Sequence, residues 1–129
     1  MPLPGAFSSV LADPKLRRAA RLMLALLLGV VSVLAWRPNP GELLSSGTDK
    51  LAHLLAFGAL GACAALGFGL SRWRRIGVGL MAYGALIEWV QAFIPGRSAE
   101  WLDLGADGIG ALLGVLLVAW VSNRIDTRR

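Results

Sequence analysis

Four long apolar runs divide the chain, and each is close to the length that an α-helix needs to cross a membrane. About 20 apolar residues span the hydrocarbon core of a bilayer. The runs cover residues 22–36, extended backward by Ala19 and Ala20, and residues 51–70, 76–94 and 104–121. Glu88 is the only charged residue in the third run, and Asp107 is the only one in the fourth. The pattern predicts an all-α membrane protein, a four-transmembrane-helix bundle.

Turn-forming residues separate these runs. Asn39, Pro40 and Gly41 predict a loop after the first run, and Pro95-Gly96 ends the third. The segment SRWRR, residues 71–75, is a short connection between the second and third runs. An alternative interpretation makes the first run a secretory signal peptide, because basic residues precede it and Val33-Leu34-Ala35 resembles a cleavage site.

The composition favours a membrane protein over a soluble one. Of the residues, 56% are hydrophobic and only 16% are charged, whereas about 25% are charged in a typical soluble domain. A soluble helical domain would have to bury several uncharged runs at once. The single cysteine, Cys63, excludes an intrachain disulfide and a CxxC metal motif.

Basic residues collect on one side of the predicted membrane. Ten of the 13 Lys and Arg residues lie before the first run, between the second and third, or after the fourth. They are Lys15, Arg17, Arg18, Arg21, Arg72, Arg74, Arg75, Arg124, Arg128 and Arg129. The positive-inside rule then places both termini in the cytoplasm. We therefore predict a multi-pass membrane protein, and the net charge of +5 needs no nucleic-acid partner.

The orientation gives three predicted regions. Residues 1–18 form a cytoplasmic tail, residues 19–121 a four-helix transmembrane domain, and residues 122–129 a second cytoplasmic tail.

Polar residues gather at the opposite, outer ends of the runs. Lys50 and His53, and likewise Glu88 and Gln91, are three positions apart and share a helix face. The predicted binding site contains Asp49, Lys50, His53, Glu88, Gln91, Arg97, Asp103 and Asp107.

Glu88 and Asp107 are the most informative of these residues. A carboxylate at the centre of a membrane helix costs on the order of 3 kcal/mol, so each needs a cation or a donor. We predict that the Pro95-Gly96 turn folds Arg97 back to pair with Glu88. Structural roles remain alternatives for the others. Lys50 and Arg97 would then reach the interface, Asp103 would cap a helix, Glu100 would be solvated and His53 would be a hydrogen-bonded packing residue.

The chemistry of this site is open from the sequence. His53 and Glu88 are candidate catalytic acid–base groups, but no Ser or Cys stands beside His53 as a nucleophile. Glu88, Asp103 and Asp107 have the oxygen ligands that Mg²⁺ or Mn²⁺ prefers. Because their spacing matches no established metal motif, the sequence predicts no metal site, and any cofactor is unknown.

In these residues the chain resembles the VanZ-like family of small bacterial membrane proteins. The matching motifs are Asp-Lys-x-x-His at Asp49, Lys50 and His53, Glu-x-x-Gln at Glu88 and Gln91, Pro-Gly-Arg at residues 95–97, and Asp103. The family's Asn-x-x-Gly-x-x-x-Gly follows, with Asp107 in place of the Asn and with Gly110 and Gly114 matching. The resemblance implies a multi-span protein of the bacterial inner membrane and, because the family's namesake is linked to teicoplanin resistance, an effect on glycopeptide susceptibility.

Three functions compete. The first is a binding module whose polar cluster holds an anionic lipid headgroup, such as an undecaprenyl-phosphate-type carrier, or a partner protein of envelope assembly. The second is a membrane-embedded enzyme acting on a lipid-linked phosphate or glycan. The third is a transporter or proton relay, which the absence of an internal repeat makes less favourable.

Overall fold

The computed structural model describes residues 6–38 and 46–127. These residues form five α-helices and no strand. The helices are α1 (Ala6–Leu11), α2 (Pro14–Ala35), α3 (Ser46–Phe68), α4 (Trp73–Gln91) and α5 (Trp101–Asp126), with a 3-10 turn at Leu70–Arg72 before α4. The predicted loop residues Asn39, Pro40 and Gly41, and the basic residues Arg128 and Arg129, lie outside the described residues.

Three of the helices are long and apolar enough to cross a membrane. They are α2, α3 and α5, whose most apolar segments have mean hydropathies of 1.9, 1.9 and 2.0. The third predicted span does form a helix, α4, but Arg74 and Arg75 in its first turn and Glu88 near its end make it less apolar. The all-α membrane class is therefore supported, and a fourth span remains a prediction.

Local signals explain where α2 and α3 begin and end. The Asp13 carboxylate accepts a hydrogen bond from the Lys15 backbone N–H at 2.9 Å and caps α2, and Pro14 follows at the first helical position. As a result α2 begins before residue 19, where the apolar run alone would start it. Gly69 adopts a positive φ of 95° directly after α3, which ends that helix and turns the chain toward α4.

Glycines bring α3 and α5 into backbone contact at the centre of the molecule. A Cβ at Gly110 would collide with the carbonyl oxygen of Leu54, and one at Gly114 with that of Gly58. Gly110 and Gly114 therefore act as a Gly-x-x-x-Gly close-packing motif between the two helices. Around this contact lie fully buried side chains such as Phe57, Leu60 and Ile87.

The outer surface of the helices is apolar. Leu26 on α2, Val78 on α4 and Leu117 on α5 are each more than half exposed. All five tryptophans are also exposed and lie near helix ends, at Trp36, Trp73, Trp89, Trp101 and Trp120. Amphipathic rings at helix ends are typical of the two membrane–water interfaces.

The helices define two chemically different ends. At the basic end, where α2 and α4 begin and α3 and α5 end, the Arg21 guanidinium donates to the Gly67 carbonyl at 2.9 Å and lies over the Phe68 ring. The acidic end is opposite, where α3 and α5 begin. The predicted site residues on these two helices, together with those in the last turn of α4, all belong to the acidic end.

Candidate functional site

Three helices bring their polar residues together at the acidic end. Their side chains contact one another as described below and form what we call the polar cluster. Its members are Asp49, Lys50 and His53 from the start of α3, Glu88 from the end of α4, Glu100 before α5, and Asp103 and Asp107 from the start of α5.

His53 and Asp107 form the deepest pair of the cluster. His53 Nδ1 lies 2.7 Å from Asp107 Oδ1, and the two side chains are 11% and 0% exposed. Gly84 on α4 makes room for this carboxylate, because a Cβ at that position would lie 2.7 Å from Asp107 Oδ2. The Asp107 carboxylate thus lies between α3 and α4, with Oδ1 beside His53 and Oδ2 beside Gly84.

Lys50 is neutralised within the cluster. Its Nζ lies 2.8 Å from Glu100 Oε2 and 3.4 Å from Asp103 Oδ1. Glu100 is 42% exposed, in keeping with the predicted solvated charge, but it also pairs with Lys50. The hydrogen bond from Lys50 lowers the pKa of the Glu100 carboxyl below its ordinary value. Asp103 lies in the first turn of α5, as predicted for a helix-start acid, but it is also buried.

Glu88 has a different partner from the predicted one. Its Oε2 accepts a hydrogen bond from the Glu100 backbone N–H at 2.9 Å. Arg97 instead donates through Nη2 to the Leu34 carbonyl at 3.0 Å and through Nε to the Arg37 carbonyl at 3.3 Å. The last carbonyls of a helix have no helical donors and carry its negative dipole end, so they attract the guanidinium. The predicted Arg97–Glu88 pair is wrong.

Gln91 supports the same helix end as Arg97. Its Nε2 donates to the Ala35 carbonyl at 3.1 Å, and the residue is 3% exposed. Gln91 and Arg97 therefore connect the end of α4 and the following loop to the end of α2. Gln91 and Arg97 thus bond to other partners than Glu88 and Lys50 do, although the sequence grouped all four in one site.

A cavity of about 490 Å³ opens beside the polar cluster, between α2, α3 and α4. Its polar lining comes from the acidic end of the molecule and consists of Arg37, Asp49, His53, Gln91 and Arg97. Apolar residues about one helical turn deeper, such as Val31, Phe57 and Ile87, line the rest. His53 belongs to both features, because it lines the cavity and bonds to Asp107.

Carboxylates of the cluster also meet the basic requirement of a metal site, which the sequence did not predict. One ligand atom each from His53, Glu88 and Asp107 lies within 4.8 Å of the others, and the same holds for Asp49, His53 and Asp103. Both groups contain His53, unlike the all-carboxylate group that the sequence offered.

Sequence reasoning overlooked three residues of this site. Arg37 is not among the predicted site residues, yet it lines the cavity. Glu100 bonds to Lys50 through its side chain and to Glu88 through its backbone. Gly84 accommodates Asp107. The position of Arg37 beside the end of an apolar run was a usable signal, but the other two contacts join distant parts of the chain.

Comparison with known proteins confirms the family resemblance that the sequence motifs indicated. The family model described as VanZ/LLP1 matches residues 8–122, which include α2 to α4, most of α5 and every predicted site residue. No significant match was found among the curated proteins or the solved structures. Since the match covers nearly the whole chain, the protein belongs to the VanZ family.

Proposed function

We propose that the protein binds a single anionic amphiphile, a lipid-linked phosphate of the undecaprenyl-phosphate type, at the outer face of the bacterial inner membrane. The observation that carries this proposal is the cavity between α2, α3 and α4. It combines a cationic, hydrogen-bonding end with apolar walls, which is the lining that one molecule with a charged head and a hydrocarbon tail requires.

Arg37 and Arg97 would hold the phosphate. A guanidinium has five N–H donors in a planar fork that suits phosphate oxygens. The bonds of Arg97 to the Leu34 and Arg37 carbonyls use two of these donors, so the remaining three are available to a ligand. Lys50 is less suited than the sequence indicated, because Glu100 and Asp103 already neutralise it.

The proposed orientation follows from the two ends. With four spans, α4 included, both termini lie in the cytoplasm and the acidic end faces outward. The apolar surface and the exposed tryptophans support the membrane location. An effect on glycopeptide susceptibility would follow from sequestration of an envelope lipid at this face.

Native mass spectrometry of the purified full chain tests the proposal. The probes are undecaprenyl phosphate, the uncharged alcohol undecaprenol, phosphatidylglycerol and inorganic phosphate. We expect retention of undecaprenyl phosphate at least about tenfold above that of the alcohol, since charge-assisted hydrogen bonds to phosphate carry the difference. Equal retention of undecaprenyl phosphate and undecaprenol would refute a site that recognises an anionic headgroup.

A matched pair of variants locates the binding. Arg37→Gln removes one cation from the cavity, and Arg18→Gln removes one from an exposed position at the basic end. Retention of undecaprenyl phosphate should fall in the first variant and persist in the second. The same loss in both, or in neither, would show that the phosphate is bound elsewhere.

The pair of His53 and Asp107 favours a second candidate, an enzyme acting on the same lipid-linked phosphate or glycan. A carboxylate that holds a histidine beside a cavity is an arrangement used for general acid–base catalysis. Incubation with undecaprenyl pyrophosphate and thin-layer analysis tests it. Product formed by the wild type and absent with His53→Gln, at unchanged lipid retention, would establish the enzyme, whereas no product from either would exclude hydrolysis of this lipid.

A further inference from the structure

Three buried carboxylate oxygens inside the polar cluster lack a hydrogen-bond partner among the described residues, and one of them, Asp103 Oδ1, faces Lys50 Nζ at 3.4 Å. The other two oxygens form no ion pair among these residues. They are Glu88 Oε1 on α4 and Asp107 Oδ2 on α5, and both are buried. The two residues are themselves only 8% and 0% exposed. A buried polar atom without a partner lowers stability, more so when it is charged, so two of them in one place point to a missing interaction.

The nearby cations do not supply that interaction. Lys50 is engaged by Glu100 and Asp103, and Arg97 is bonded to the carbonyls at the end of α2. Among the described residues, only His53 forms an ion pair or hydrogen bond with Asp107, and it contacts the other oxygen, Oδ1. The two carboxylates of Glu88 and Asp107 carry two negative charges when ionised, and His53 can balance at most one of them.

We propose that His53, Glu88 and Asp107 together bind one divalent transition-metal ion. One ligand atom from each lies within 4.8 Å of the other two. An ion bonded at about 2.1 Å to three such atoms would separate them by roughly 3–3.5 Å. Small rotations of the carboxylates toward His53 would bring the ligand atoms to this shorter separation. The ion would then bond both free oxygens and balance two negative charges.

The donor set selects the class of metal. One imidazole nitrogen with two carboxylate oxygens suits Zn²⁺, Mn²⁺ or Fe²⁺, whereas Mg²⁺ and Ca²⁺ favour oxygen ligands alone. Three protein ligands leave a coordination position open. Because His53 also lines the cavity, that position would face a ligand held there. The metal site itself does not depend on lipid binding.

The second group, Asp49, His53 and Asp103, is a weaker candidate. Asp103 Oδ1 already faces Lys50 Nζ at 3.4 Å, and a metal ion there would meet a like charge. Asp49 is only partly buried, so water can solvate its carboxylate. The group with Glu88 and Asp107 has the greater need for a cation.

Electron paramagnetic resonance of Mn²⁺ tests the site. The full chain in lipid-free detergent, stripped with a chelator and desalted, is titrated with Mn²⁺ while the signal of the free ion is followed. We expect one Mn²⁺ per chain, displacement by Zn²⁺, and little displacement by Ca²⁺. A nitrogen hyperfine coupling from His53 should be present and should vanish in His53→Gln.

Isosteric variants give the decisive comparison. Asp107→Asn and Glu88→Gln should each weaken Mn²⁺ affinity at least about tenfold, whereas Asp49→Asn should change it less than about twofold. Circular dichroism and size-exclusion elution verify that the variants are folded. Should either variant misfold, the hyperfine coupling and the stoichiometry of the wild type decide the question.

Three results would overturn the proposal. They are fewer than half an ion per chain, unchanged affinity in Asp107→Asn, or a loss in Asp49→Asn as large as in Asp107→Asn. Since no lipid or phosphate is present, failure here leaves the amphiphile proposal standing, and failure of Arg37→Gln to affect lipid retention leaves the metal site standing.

Discussion

The bonding partners of Arg97, at the acidic end, are decided by the acceptors that surround it. Its position after Pro95-Gly96 allows it to reach the end of α4 or the end of α2. It contacts α2, because two C-terminal carbonyls offer acceptors there, while Glu88 receives the Glu100 backbone N–H. Arg97 and Glu88 therefore stabilise different contacts.

The separation of these contacts predicts additive mutational effects. Arg97→Ala should lower the free energy of unfolding by roughly 1 kcal/mol, since it removes a cation from a helix C-terminus. Glu88→Gln should not relieve that loss, because its amide oxygen still accepts from Glu100 and touches nothing of Arg97. A double-mutant cycle on metal-free protein in detergent measures the coupling. A coupling above about 1 kcal/mol would restore the Arg97–Glu88 pair.

Glu100 predicts a dependence of stability on pH. Lys50 lowers its pKa in the folded state, so its contribution is fully present above the unfolded pKa of about 4.3 and is lost as the pH falls through the lower folded pKa. The melting temperature should decline more steeply below pH 4.3 in the wild type than in Glu100→Gln or Lys50→Gln. Parallel curves for all three proteins would show that the pair contributes nothing.

The helices α3 and α5 form the closest contact between elements, and glycines permit it. At Gly114 an added Cβ would meet the Gly58 carbonyl oxygen and lie 2.8 Å from the Ala62 nitrogen. Both obstacles are backbone atoms, so neither can rotate away. At Gly105, on the same helix, nothing lies within 4 Å.

This difference makes Gly114 and Gly105 a matched pair for substitution by alanine. Gly114→Ala should lower the free energy of unfolding by about 1–3 kcal/mol, because the helices must separate. Gly105→Ala should leave it unchanged or raise it by up to about 1 kcal/mol, since alanine favours a helix. Thermal unfolding in detergent gives the comparison, and equal effects of the two changes would contradict the close packing of α3 against α5.

The elements also show where apolar patterning succeeds and where it stops. All four apolar runs became helices near the predicted positions. Helices α2 and α5 extend beyond their runs, to Pro14 and Asp126, because polar residues such as Asp13 can cap or continue a helix beyond its apolar part. Helices α3 and α4 end inside their runs, at Phe68 and Gln91. The crossing of α4 was not established by its pattern, since Arg74, Arg75 and Glu88 lower its apolarity.

The molecule as a whole is polarised between a basic end and an acidic end. Arg17, Arg21 and Arg72 lie at the first, and the polar cluster lies at the second. Under the positive-inside rule this asymmetry predicts the orientation of every helix at once.

Topology mapping follows directly from this polarity. Reporter fusions within residues 71–75 and after Thr127 should be cytoplasmic, and a fusion near Gly96 should be external. The first and third of these flank α4, so they also determine whether α4 crosses the membrane. A periplasmic C-terminus would reverse the orientation, and residues 71–75 and Gly96 on the same side would reduce the protein to three spans.

The sequence alone determined the membrane class, the positions of four helices, the family and most of the polar residues that meet at the acidic end. These depend on composition, on periodicity and on short motifs, all of which are local. Only the tertiary structure decided that Arg97 caps α2, that Lys50 pairs with Glu100, and that a carboxylate oxygen from each of Glu88 and Asp107 lies within 4.8 Å of a ring nitrogen of His53. Such partners come from different helices, whose distances depend on how glycines such as Gly110 and Gly114 let the backbones approach.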